Sequence, residues 1–118
     1  LKCEVGAIVK SLLFKAESNF ILCLVAGDKR CSINKLKKTT KIKDISMASP
    51  DEVKKQTGYT IGGVSPVGHN NKVEILIDNS LERFIDIFAA AGHPNCIFKI
   101  NFKNLQKITN GKVKEIIE

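Results

Sequence analysis

The sequence predicts an α+β or α/β domain built on a mixed sheet. Three observations carry that expectation. Short apolar runs of strand character recur along the chain. Short segments with helix-start signals lie between them, the clearest at Ser49-Pro50-Asp51-Glu52. With 118 residues, 43% hydrophobic and 26% charged, the chain suits one domain with a real core.

Residues 8–16 and 20–26 read as two strands joined by a short hairpin connection, Glu17-Ser18-Asn19. The second is apolar on both faces and is expected to be buried. Lys10 interrupts the first. Strand geometry puts it on the face of Ile8, Leu12 and Phe14, where a lysine either snorkels out or reaches a site. After a turn at residues 27–30, Ser32 can cap a short helix to about Lys38, broken by Thr39 and Thr40. Residues 41–47 are expected to be a strand. Ser49 opens a helix with Pro50 in its first turn and Glu52 completing a capping box, and the helix stops before Gly58.

Residues 73–77 form the next expected strand, ending at Asp78. A helix is then expected from Asn79 to Gly92, with Leu81, Phe84, Ile85 and Phe88 as its apolar stripe and Pro94 barring its continuation. Residues 96–102 read as a strand, 103–109 as a short helix, Asn110-Gly111 as a turn, and 113–117 as a closing strand.

No run of eighteen apolar residues is present, so no membrane-spanning segment is expected. The start lacks both Met and a signal peptide's apolar stretch, and further residues are expected upstream of Leu1. The net charge of +7 is nearly all lysine, since Arg30 and Arg83 are the only arginines. Lysine holds phosphate as a point charge, which suits a polyanion gripped by its backbone; a solvated surface would have the same composition. Lys35, Lys37, Lys38, Lys41 and Lys43 form the densest positive run. Cys3, Cys23, Cys31 and Cys96 have no metal-ligand spacing and read as free thiols in a reducing cytoplasm.

Several chemistries are missing. There is no phosphate-binding GxxxxGK[ST] loop, no GxGxxG, no HExxH and no GxSxG. His69 and His93 fall in separate loops, so neither a metal nor a cofactor is expected. Ser65 and His69 could pair as nucleophile and base, but no third orienting residue is apparent. What stands out is the uncharged stretch at 58–69, Gly-Tyr-Thr-Ile-Gly-Gly-Val-Ser-Pro-Val-Gly-His. Gly62 and Gly63 permit a close approach to the main chain, and Pro66 pushes Ser65 towards an extended conformation. The stretch is either a cradle of backbone donors or a plain connection. Such donors suit electrostatic stabilisation of an oxyanion rather than covalent catalysis.

Three segments together resemble one family. They are Ile8-Val-Lys10-Ser-Leu-Leu-Phe14, the run from Thr57 to Gly68, and Ile77-Asp78 followed by Ala-Ala-Gly92. The chain is similar, from about Val5 to Ile116, to the YbaK/EbsC family, relatives of the editing domain of bacterial prolyl-tRNA synthetase. The resemblance implies an α+β fold: a mixed, barrel-like sheet surrounded by short helices. It implies hydrolysis in trans of the ester joining a wrong, small amino acid to a tRNA 3′ end, with a tRNA for proline or a similar one as partner and no cofactor. A non-catalytic module that holds a tRNA or an aminoacyl-tRNA synthetase is the alternative.

Lys10 matches the family's strand lysine, and Gly62, Gly63, Val64, Ser65 and Pro66 match its Gly-x-x-x-Pro loop. Tyr59, His93 and Asn95 are expected near the substrate, although members with an Asp in the loop of Asn95 exist. The five clustered lysines are expected to meet tRNA. Family members usually carry a helix and hairpin ahead of the lysine strand, contributing to the pocket wall, and such a segment is expected upstream of Leu1.

Overall fold

The computed structural model describes residues 4–93 and 96–118. Strands β1 (Val9–Ala16) and β2 (Asn19–Ala26) form the predicted hairpin, paired in antiparallel register from Val9–Ala26 to Ala16–Asn19. β3 (Ile45–Met47) pairs antiparallel with the far end of β1, while β4 (Glu74–Asp78) and β7 (Lys112–Lys114) extend the sheet in parallel beyond β2. The order of this five-stranded mixed sheet is β3-β1-β2-β4-β7. β5 (Ile87–His93) and β6 (Cys96–Ile100) make a separate two-stranded ribbon, joined to the start of β1 through a bridge between Ile8 and Phe88.

β2 is buried on both faces, as its composition predicts. Leu22, Leu24 and Ala26 point to one side with Val9, Leu13 and Ile77; α2 (Pro50–Thr57) adds Val53, the glycine loop adds Val64, the ribbon adds Ile87 and Ala89, and α3 (Phe102–Thr109) adds Leu105. Ile21, Cys23 and Val25 point to the other side, beneath Leu36 of α1 (Ile33–Thr40). The five-stranded sheet thus carries an apolar cluster on each face, and the ribbon, α2, α3 and the glycine loop cover one of them.

The helix starts are chemically ordinary. Ser32 Oγ accepts from the Lys35 amide, and Asn101 Oδ1 accepts from that of Asn104. At α2 the Glu52 amide donates to Ser49 Oγ (3.1 Å) while Glu52 Oε1 accepts from the Ser49 amide (2.9 Å), the expected capping box. α1 runs through Thr39 and Thr40 rather than breaking there, because Thr40 Oγ1 satisfies the Leu36 carbonyl; the left-handed Lys41 ends it. That turn leaves only Ile45–Met47 of the strand expected at 41–47.

The helix expected from Asn79 to Gly92 does not form. Asp78 accepts from the Ser80 amide and starts a single 3₁₀ turn, Asn79–Arg83; Ile85 is exposed, and Ile87–His93 is extended. Burial of Ile87 and Ala89 with the ribbon's ladder to β6 overrides the helix propensity of the alanines. Phe102, assigned to a strand from the sequence, instead begins α3.

Candidate functional site

The site is set by what β3 fails to cover. β3 pairs with β1 only at Phe14, Lys15 and Ala16, and the Leu13 carbonyl accepts from the Ala48 amide (3.0 Å). Between the Leu13–Ala48 bond and the Ile8–Phe88 bridge, no strand among the described residues pairs with that edge of β1. A cavity of about 370 Å³ lies along it, walled by Lys10, Ser11, Ile61, Gly62 and Val64, with Ala90 of the ribbon. The lysine strand and the glycine loop, more than fifty positions apart in sequence, therefore face one space.

The loop reaches that space through a tight turn. The Gly63 amide donates to the Thr60 carbonyl (2.9 Å), and Gly62, third in the turn, has φ +86°. This angle is what a type II turn demands of its third residue, and it explains a glycine there. A Cβ on Gly62 would meet nothing within 4 Å, so the requirement is conformational. The expectation that the whole loop offers free donors needs one revision: the Gly63 amide is used within the turn. Among the described residues, no main-chain hydrogen bond uses the amides of Gly62, Val64 or Ser65.

Lys10 is half-buried and borders the cavity along the strand edge, and its ammonium donates to the Lys29 carbonyl. Its side chain leaves β1 on the face of Leu12 and Phe14, opposite the loop's face. The loop-facing neighbour is Ser11, which no motif marks. Beneath Lys10, Cys31 stands close to Cys23. Hydrogen bonding from Cys23 holds the Cys31 thiol below its usual range, with Lys10's charge assisting, while that same contact and burial push Cys23 up.

The other expected residues fall away from the cavity. The Tyr59 hydroxyl donates to the Val67 carbonyl (2.8 Å), and a Cβ on Gly68 would lie 2.7 Å from it, so Tyr59 braces the loop's exit. Pro66 is buried and borders a separate hollow with Gly68 and His69. Ser65 is 4% exposed; its Oγ accepts from the Val67 amide (3.3 Å), and its carbonyl, not its hydroxyl, meets His69 Nε2 (2.6 Å). That geometry removes the basis for a Ser65–His69 nucleophile pair. His93 is exposed at the ribbon's end opposite Cys96, and Asn95 lies outside the described residues. Lys35, Lys37 and Lys38 are carried by α1, with Lys41 and Lys43 just beyond it, on the sheet face opposite the glycine loop. Lys35 also pairs with Glu115 at 3.8 Å. Cys23, Cys31 and Cys96 are free thiols, and Cys3 lies outside the described residues.

A strand edge facing a glycine turn marks a small α+β domain whose cavity, among the described residues, is lined by no imidazole and no carboxylate. Residues 1–108 match the model of the aminoacyl-tRNA editing domain, and the chain belongs to that family. It is 38% identical over 111 residues to the uncharacterized protein YwhH of Bacillus subtilis, covering 93% of this chain and 70% of that protein. It is 30% identical over 118 residues to proline–tRNA ligase of the same organism, all of this chain but 20% of the ligase. The chain thus spans about a fifth of that relative's length. Among solved structures, a candidate trans-editing enzyme for prolyl tRNA synthetase superposes with a TM-score of 0.95 and 37% identity, covering 98% of this chain and 73% of the other.

Proposed function

We propose that this domain hydrolyses the ester of a mischarged tRNA in trans, removing a small amino acid from the 3′-terminal ribose in a reducing cytoplasm. The observation that carries this reading is the shared cavity between Lys10 on β1 and the Gly62–Val64 turn. Free amides at Gly62 and Val64 are suited to the ester oxygen as it gains negative charge. One such preorganised donor is typically worth about 3 kcal/mol in the transition state. To meet the phosphate or ribose of the terminal nucleotide, the Lys10 ammonium leaves the Lys29 carbonyl and reaches round the uncovered edge of β1 from the face opposite the loop.

Among the described lining residues there is no imidazole and no carboxylate. Proton transfer therefore falls to water and to the ribose hydroxyl beside the ester, and no covalent acyl-enzyme is formed. The same shortage of acid–base groups favours one second reading, a module that holds an aminoacyl-tRNA or a synthetase without chemistry. Incubating pure protein with tRNAs bearing alanine, cysteine, serine or threonine separates the two. A deacylase accelerates loss of at least one ester, whereas a module binds and leaves the esters to decay at the buffer rate.

A further inference from the structure

Ser11 is the polar group that the cavity leaves unanswered. Its Oγ is buried and has no hydrogen-bond partner among the described residues, a costly state for a hydroxyl. Ser80 Oγ is in the same state but lines none of the cavities described. Ser11 lines two. One is the open cavity shared with Lys10 and Gly62; the other is a recess of about 20 Å³ behind it, walled by Leu13, Ala48, Val53 and Val64. The recess is apolar and has room for about one small group. Ser11 thus stands where the two spaces meet, on the loop's side of β1.

Its main chain points the same way. The Leu13 carbonyl faces the β3 side, and alternate residues of an antiparallel strand turn their peptide groups to the same edge. The Ser11 carbonyl therefore faces the open edge two residues before the Leu13 carbonyl that accepts from Ala48.

We propose that Ser11 is the receptor for the substrate's α-ammonium group, an inference that rests on the deacylase reading. An aminoacyl ester carries three groups on its α-carbon. With the side chain in the apolar recess and the ester against the Gly62 turn, the α-ammonium meets the wall that both spaces share. It needs acceptors, and the described lining has no carboxylate; Ser11 supplies its hydroxyl and its edge carbonyl. Acyl groups without a free α-amine are discriminated against.

The test compares two non-hydrolysable probes, 3′-alanylamido-3′-deoxyadenosine and its propionylamido counterpart, which lacks only the amine. Binding of each to the wild-type chain and to Ser11→Ala is measured by NMR titration, alongside hydrolysis of alanyl-tRNA. Wild type is expected to prefer the alanyl probe by at least ~10-fold, the scale of a hydrogen bond to a charged group. Ser11→Ala is expected to lose that preference, leave propionyl binding within about twofold, and keep its Tm, since the lost hydroxyl had no partner.

Equal wild-type affinity for the two probes, or equal weakening of both in Ser11→Ala, overturns the assignment. So does a substantial fall in Tm, which marks a structural hydroxyl. Amine preference without hydrolysis of any mischarged tRNA sinks the deacylase reading and leaves Ser11 as the amine receptor. Hydrolysis without amine preference does the reverse, and no binding of either probe overturns Ser11's role.

Discussion

The Gly63 amide donates to the Thr60 carbonyl at 2.9 Å, and this one bond decides which of the loop's amides remain for a substrate. It closes the turn that holds Gly62 at φ +86°, and Gly62 and Val64 border the cavity. A donor already used inside the loop cannot also stabilise an oxyanion. The amides of Gly62 and Val64 inherit that role in the proposed reaction.

Gly62→Ala tests the turn. A side chain there meets no neighbour, so its cost is the left-handed backbone alone, about 1–2 kcal/mol. The expected result is a Tm lower by about 5–10 °C and a fall in deacylation of ~10-fold or more, measured on folded protein at 20 °C. Unchanged deacylation beside the lowered Tm would remove the turn from the chemistry.

Asp78 makes a stability prediction of its own. It is fully buried, with Oδ2 accepting from the Ser80 amide (2.9 Å) and Oδ1 from the Ile116 amide (2.8 Å). It therefore ties the end of β4 to the chain's last residues. Asp78→Ala leaves two amides without their acceptor and is expected to cost about 3 kcal/mol in urea unfolding. A loss below 1 kcal/mol would mean that water replaces the carboxylate at both amides.

The basic run on α1 predicts the response to salt. If Lys37, Lys38, Lys41 and Lys43 meet phosphates, tRNA affinity falls steeply between 50 and 200 mM salt, by a route of the kind counterion release sets. Each Lys→Ala change among them is expected to flatten the log–log slope by about 0.7–0.9. Lys35, already beside Glu115, should contribute less. Slopes unaltered by all four changes would assign tRNA contact to another face, which the position of α1 opposite the loop makes a real contest.

The hairpin, the capping box and the glycine turn were legible because each is written locally. Two apolar runs with a short connection, Ser49 with Glu52, and Gly62 in its turn all act within a few residues. The stretch from Asn79 to Gly92 was misread because its spacing fits a helix while its burial is decided by β6, a partner that follows it in the chain. Lys10 and the loop could be paired only through resemblance to a family. Ser11 escaped notice altogether, since a serine in a strand carries no motif. Its meaning lies in two cavities and an unanswered hydroxyl, and only three-dimensional packing reveals those. The one sequence signal was its parity, which puts it on the face opposite Lys10.

The most direct test of the central claim is the single-turnover rate at which alanyl-, cysteinyl-, seryl- and threonyl-tRNA lose their amino acid, with wild type and with Lys10→Ala. Deacylation of at least one by wild type, and a loss of at least ~100-fold in Lys10→Ala, about 3 kcal/mol of transition-state stabilisation, is the expected result. Ester decay in wild type no faster than in buffer across all four tRNAs would contradict it.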